Sequence, residues 1–362
     1  MINHGCTQMN TDKMRFNLRR TPMNSEDACK GGAVGRLARV LSLSVFICVH
    51  LWFLTGCDQK PAGDSKPDST TKLTLQLNWK AEPQFGGFFA AKELGIFAKH
   101  GLDVDVKVGG ASAPTPEMVG AGTVEFAIVS ADQLVKARAA GNKIVALFAA
   151  YQTCPQGLMT RASRGFKDIG DVFKSEGTVA MESGLTYSGI LEKKYGFDSI
   201  RVVPVPYGDL TIYLSDANYT MQCFVTSEPI AARKAGVEPS VFLLADAGYN
   251  PYTTVLATSE SYLLANPKIA ERVVAAVREG WQAYLKDPSA TNESMRKLNP
   301  EMDAETFVES ARVQIPLIET EETQAKGLGV MTRARWQTLV DQMKEFGALD
   351  GDVKAEECFV SP

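Results

Sequence analysis

The residues with chemistry to offer stand, in sequence, at the ends of apolar runs. Asn78 and Trp79 follow Leu73, Leu75 and Leu77, with Gln84 shortly after; Ser130 follows Phe126 to Val129; Tyr151 closes the run from Ile144. Glu182 follows Thr178 to Met181 with Tyr187 at a helix start, Tyr207 follows Ile200 to Val205, and Glu228 sits in Thr226-Ser227-Glu228-Pro229 after Tyr219 to Val225. Trp and Tyr faces stack on a flat ring, while amides, hydroxyls and carboxylates read its polar edge. A turn from Gly109 to Pro116 offers backbone N–H groups at Gly110 and Ser112 ahead of a helix, an arrangement that suits an anionic group. The set points to binding rather than catalysis. His100, at a predicted helix-to-strand turn where solvation is expected, is the one histidine beyond residue 57, and no cysteine spacing matches a metal site. Catalytic residues, a metal and a cofactor are therefore not expected.

Elements that would position these residues follow from periodicity. Leu73, Leu75 and Leu77 alternate with Lys72, Thr74 and Gln76, the period of a strand with one buried face. Gly86 and Gly87 are expected to give the backbone room to turn. Phe88 to Leu94 reads as a helix closed near Gly95, and Leu102, Val104, Val106 and Val108 as a second strand. In open α/β sheets ligands sit beyond the carboxyl ends of strands, where Asn78 and Trp79 fall.

The wording LNW, then PQFGGFFAAKELGIFAKHGLDVDV, resembles the periplasmic solute-binding proteins of the sulfonate, nitrate and thiamine-precursor importer family. The resemblance implies an α/β, two-lobed, type II periplasmic-binding-protein fold with two crossing segments. It also implies a small-molecule ligand, the permease of an ABC importer as partner, and a monomer. Many thiamine-precursor binders carry a His where this chain has Gln84. Glu228 matches the place where those binders keep an acid that accepts from a ring amine, and a carboxylate there repels a sulfonate. An amino-pyrimidine or similar heteroaromatic is thus expected, with the Gly109 to Ser112 turn holding any phosphate; binding of a sulfonate, taurine or nitrate is the alternative. Two further classes stand beside these. Relatives of the fold make the thiamine pyrimidine with a histidine and a cysteine-rich iron motif at the strand that is Tyr219 to Val225 here, where Met221-Gln222-Cys223-Phe224 holds one cysteine. A sensor module without an importer is the other.

Length and charge bound the rest. The chain has 362 residues, enough for two lobes, with 45% hydrophobic and 22% charged residues. A net charge of -4 without a dense basic run speaks against nucleic-acid binding. Arg15, Arg19, Arg20, Lys30, Arg36 and Arg39 precede the apolar run Val40 to Leu54, which ends in Leu54-Thr55-Gly56-Cys57 and looks like a bacterial lipobox. Residues 1–56 are expected to be a lipoprotein signal peptide, with the start codon at Met14 or Met23. A lipidated Cys57 would then anchor the chain to a membrane, in the periplasm or at the cell surface. Residues 57–71 read as a tether spanning roughly 20 Å as a flexible coil. Of the seven cysteines, Cys154, Cys223 and Cys358 remain to form at most one disulfide.

Lobe 1 is expected at 72–157 and 256–350, lobe 2 at 158–255, and a C-terminal tail at 351–362. Gln156 to Thr160 and Thr254 to Thr258 read as the crossing strands. An internal echo supports two similar lobes: Ala121 to Phe126, then Ser130-Ala131-Asp132 and Gly141, parallels Asp216 to Met221, then Thr226-Ser227-Glu228 and Gly236. Asn266-Pro267 opens a long helix past Trp281, and Thr332 to Phe346 forms the last one; Trp281 and Trp336 are expected to pack in the core.

Overall fold

The computed structural model describes residues 70–110, 113–205 and 208–360. The expected signal peptide, Cys57, Ser112 and Tyr207 lie outside the described residues.

Ten strands form two sheets of five. The first holds β1 (Thr71–Gln76), β2 (Leu102–Lys107), β3 (Phe126–Val129), β4 (Ile144–Tyr151) and, far along the chain, β10 (Thr253–Ser259). The second holds β5 (Gln156–Arg161), β6 (Thr178–Met181), β7 (Arg201–Pro204), β8 (Tyr219–Phe224) and β9 (Pro239–Leu243). Their orders, β2-β1-β3-β10-β4 and β7-β6-β8-β5-β9, are equivalent. In each, three parallel strands meet an antiparallel one, and that one is the first strand laid down after the chain passes from the other sheet. The expected crossing strands are thus β10 and β5. The passages themselves lie just ahead of them, in 152–155 and 244–252. The echo between Ala121 to Gly141 and Asp216 to Gly236 corresponds to β3 and β8 with their following helices.

Strand character follows the sequence. In β2 the buried-exposed alternation is perfect, Leu102, Val104 and Val106 facing in. β3, β4 and β10 are buried on both faces and read as continuous apolar or small runs. β4, at the sheet edge, does not stay open, because Phe359 bridges to Ala146 and the Val360 N–H donates to the Ala146 carbonyl at 3.0 Å. Residues 351–360, expected as a tail, are tied down, with Val353, Ala355 and Cys358 buried.

Gly86 and Gly87 do not turn the chain. They open the helix Gly86–Glu93, which lies against the long helix Pro267–Lys286. A Cβ on Gly86 would stand 2.2 Å from the Tyr284 ring, and one on Gly87 would stand 2.2 Å from the Trp281 indole. Gly280 returns the fit, since its Cβ would meet the Gly87 carbonyl oxygen at 2.3 Å. Trp281 and Trp336 are fully buried, as expected for core residues. His100 is half-buried rather than solvated, its Nε2 standing 3.1 Å from a Glu279 carboxylate oxygen that holds it against the long helix. Cys154, Cys223 and Cys358 are free and buried.

Gly87→Ala should lower stability by about 1–3 kcal/mol through overpacking against the indole. Gly110→Ala, whose Cβ meets open space, should stay within about 0.5 kcal/mol of the parent chain. Urea unfolding midpoints of the two variants check the contrast.

Candidate functional site

A cavity of about 190 Å³ opens between the carboxyl ends of the two sheets. Asn78, Trp79, Glu82, Gln84 and Ser130 line it from the first sheet; Glu182, Leu185, Phe224, Ser227 and Glu228 line it from the second. The first residues of β5 and β10 add Gln156, Thr253 and Thr254. Equivalent strands therefore contribute in pairs: β1 with β6, β3 with β8.

Local structure fixes each group. Gly109 packs so closely on β1 that a Cβ would lie 2.1 Å from the Leu77 carbonyl oxygen, and its N–H donates to the Trp79 carbonyl at 3.0 Å, locking the strand end. Asn299 donates to the Ala81 carbonyl at 3.3 Å, so the loop from Asn78 to Pro83 is held at both ends. The Trp79 indole N–H donates to Glu82 Oε1 at 3.1 Å, and Gln84 Nε2 stands 3.5 Å from Glu82 Oε2. At the second sheet, Glu228 opens the helix Glu228–Lys234 and accepts the Phe224 N–H at 2.8 Å. Ser130 opens the helix Ala131–Ala139, its N–H donating to Gln133 Oε1 at 3.1 Å, which brings Gln133 to the cavity wall.

Charge is the unusual feature. Glu82, half-buried, and Glu228, buried, are two carboxyls that line one cavity. Burial pushes the Glu82 carboxyl up to about 8, with the Glu228 charge adding to the rise and the Trp79 hydrogen bond and Lys80 opposing it. Burial lifts Glu228 to about 7 against the pull of its backbone hydrogen bonds. Lys80 pairs with Glu301 outside the cavity. Glu182 is raised by burial as well.

Of the residues singled out in the sequence, Asn78, Trp79, Gln84, Ser130, Glu182 and Glu228 reach the cavity. Three others stand elsewhere. Tyr151 is fully buried behind the wall, its hydroxyl donating to Gln314 Oε1 at 2.6 Å and its ring edge-on to Phe224, because β4 is covered on both faces. Tyr187 is buried too, its hydroxyl donating to Gln222 Oε1 at 3.3 Å; the same oxygen accepts the Glu182 N–H at 2.6 Å, so Tyr187 helps hold the strand end rather than line the site. Gly110 lies outside the lining, its carbonyl closing a turn by accepting the Ala113 N–H at 3.0 Å. Ala113, in the same segment, does line the cavity, and the short helix Thr115–Gly120 that follows carries Glu117 in its first turn.

Glu82 escaped the sequence reading, although an acid three residues after a strand-end Trp was signal enough to include it. Phe224, Thr253 and Thr254 escaped as well. Thr254 is the one non-glycine residue with positive φ among the described residues, at 52°, a conformation costly for a β-branched side chain. The Thr253 hydroxyl is buried without a hydrogen-bond partner among the described residues.

Both carboxyls hold their protons to higher pH in the folded chain than in the unfolded one. The stability they confer is present below the ordinary carboxylate range and is lost as pH rises through about 7 and 8. Tm of the ligand-free protein should therefore fall between pH 5.5 and 8.5, and Glu82→Gln or Glu228→Gln should flatten the fall and raise Tm at pH 8.5. Calorimetric scans across that range check it; variant profiles that match the parent's would contradict the assignment.

The sequence model of the family described as NMT1/THI5 like matches residues 82–291, more than half of the chain. The formylaminopyrimidine-binding protein of Halalkalibacterium halodurans is 21% identical over 337 residues, 88% of this chain and 97% of that protein. The 4-amino-5-hydroxymethyl-2-methylpyrimidine phosphate synthase of Legionella pneumophila is 22% identical over 241 residues, 64% of this chain and 75% of that protein. Among solved structures, the periplasmic aliphatic sulphonate binding protein SsuA of Escherichia coli aligns with a TM-score of 0.63 at 14% identity, covering 81% of this chain and 93% of SsuA. The periplasmic nitrate-binding protein NrtA of Synechocystis aligns at 0.59 and 15% identity, covering 81% of this chain and 86% of NrtA. These likenesses show the fold: an α/β, two-lobed binding-protein architecture.

Proposed function

Because this chain belongs to the NMT1/THI5-like family, we propose that it is the extracytoplasmic solute-binding component of an ABC importer and that its ligand is a flat amino-bearing heterocycle, of the thiamine-pyrimidine-precursor kind. The observation that carries the reading is the pair Glu82 and Glu228 in one cavity with Trp79. An indole offers a stacking face for a heteroaromatic ring, and carboxylates accept from exocyclic amines with charge assistance. The same carboxyls, ion-paired to no Lys, Arg or His among the described residues, oppose a sulfonate or nitrate once ionised, although proteins that bind those anions share the fold. The formylaminopyrimidine-binding relative, aligned over nearly its whole length, supports the same direction.

A synthase is the competing class, since three relatives bear that name. Here β8 carries a single cysteine, Cys223, which is buried with its thiol raised by burial and by the Glu228 charge, and His100 is engaged with Glu279. Those residues fit packing better than redox chemistry, and the reading keeps to binding.

Two expectations test the proposal. Trp79→Ala should weaken 4-amino-5-hydroxymethyl-2-methylpyrimidine by roughly 1–3 kcal/mol, about five- to more than a hundredfold in Kd. Glu228→Gln should weaken it as well, whereas the same change would tighten a sulfonate or leave it unaltered; calorimetry with both ligand classes reads the sign directly.

We further propose that the mature chain begins at Cys57, whose lipid fixes it to a membrane in the periplasm or at the cell surface, with the residues between Cys57 and the start of β1 at Thr71 as tether. Cys57→Ser should then yield a released soluble form or unprocessed precursor. An unmodified cytosolic chain on fractionation and mass spectrometry would overturn the anchor.

A further inference from the structure

Glu82 and Glu228 reach the cavity from different sheets, the first from the loop after β1 and the second from the start of the helix after β8. Each is held by donors that leave it an acceptor: Glu82 by the Trp79 indole N–H at 3.1 Å, Glu228 by the Phe224 N–H at 2.8 Å. Among the described residues neither is ion-paired to a Lys, Arg or His, the nearest cation, Lys80, being paired with Glu301. The indole that donates to Glu82 also lines the cavity, so a ring stacked on it would lie beside that carboxylate. Independently, Thr253 lines the same cavity, is 4% exposed, and its hydroxyl has no partner among the described residues. A buried hydroxyl without a partner costs free energy unless something else completes it.

Building on the binding role proposed above, we propose that Glu82 and Glu228 form a two-carboxylate clamp that takes its ligand as an organic cation, a heteroaromatic ring protonated or alkylated on a ring nitrogen and stacked on Trp79, with the Thr253 hydroxyl as a third contact. Two like charges brought together out of water repel, and a cation placed between them removes the repulsion while a neutral ring does not. The face of an indole adds attraction for a flat cation. A metal ion fits less well: among the described residues no group of three His, Cys, Asp or Glu side chains stands close enough to hold one.

The groups that bear on the clamp's titration are few. Glu82 faces Glu228, Lys80, Glu301, the Tyr151 hydroxyl, the Gln84 amide and the Trp79 N–H; Glu228 faces Glu82, the Phe224 N–H, its own N–H and the Cys223 thiol. Bound cation favours the ionised form of both carboxyls, so binding a permanent cation below about pH 8 releases protons, and affinity should rise with pH from 6 to 8.5.

The experiment is calorimetric titration of the full mature chain with four probes: 4-amino-2-methylpyrimidine, its N1-methylated permanent cation, 2-methylpyrimidine without the amine, and taurine. The permanent cation should bind more tightly as pH rises. Glu82→Gln and Glu228→Gln should each weaken it roughly ten- to hundredfold and reduce the proton release, while Glu82→Asp keeps the pH dependence. Thr253→Val should weaken binding without lowering the Tm of the free protein. Tm and circular dichroism establish that each variant folds, and Glu82→Asp carries the test if Glu82→Gln does not. Should the amino-pyrimidine bind with an affinity indifferent to pH and to Glu82→Gln, the clamp is overturned and the amino-heterocycle reading survives. Should taurine alone bind, both fall.

Discussion

The site rests on a contact between glycine and aromatic ring some way from the cavity. Gly86 and Gly87 lie so close beneath Tyr284 and Trp281 that a methyl group at either position would overlap a ring. That closeness seats the helix Gly86–Glu93 on the helix Pro267–Lys286, with Phe88 edge-on to the same indole. The loop that carries Trp79, Glu82 and Gln84 spans the gap between β1 and this seat. Its shape follows from where its ends are pinned: Gly109 against Leu77 on one side, Asn299 on the Ala81 carbonyl on the other. Packing density of this kind transmits position well, because a core without voids has few ways to yield.

The second constraint is the interleaving of the sheets. β10 stands between β3 and β4, so the first sheet is complete only once the chain has passed through the whole of the second and returned; in the second, β5, the first strand laid down, stands between β8 and β9, the last two. The passages are anchored by the C-terminal helices. Gln152 and Thr153 donate to the Leu317 carbonyl at 2.9 and 3.0 Å, and Arg335 donates to the Asn250 carbonyl while lying 4.0 Å over the Tyr252 ring. The strained residue, Thr254, follows the second passage and faces the cavity. Strain held at a ligand-lining position persists only where the surroundings over-determine it, and here β3 and β4 pair with β10 on both sides.

Much of this was legible in the residues. Alternation in Leu73 to Leu77 and in Leu102 to Val106 gave strands because one face of each is buried, and the polar residues after the strands fell at a cavity because parallel strands present their carboxyl ends together. The failures have physical causes. Tyr151 also ends a strand, but β4 is covered on both faces, and nothing in a single apolar run tells a core tyrosine from a cleft tyrosine. Gly86 and Gly87 were read as turn residues because sequence does not show which ring will lie against a glycine. Residues 351–360 lack periodicity and looked like a tail, yet Phe359 stacks on Trp336 with an interplanar angle of 10° and closes an exposed sheet edge. The setting of Glu82 is not legible in the sequence because a charged residue in a loop is ordinarily solvated; the desolvation that raises its carboxyl comes with a cavity shared with Glu228 of the other sheet, a long-range fact.

That long-range burial gives the cavity its character. A carboxylate in water needs no partner, and one carboxylate out of water can settle its account by keeping its proton. Two that share a cavity interact through the space between them, so the protonation of each depends on the other and on whatever enters. The fold supplies the two from separate sheets, so a ligand that touches both carboxyls touches both sheets. In the clamp proposed above, a cationic ligand reverses the sign of that interaction, joining the carboxylates, and with them the two sheets, through itself.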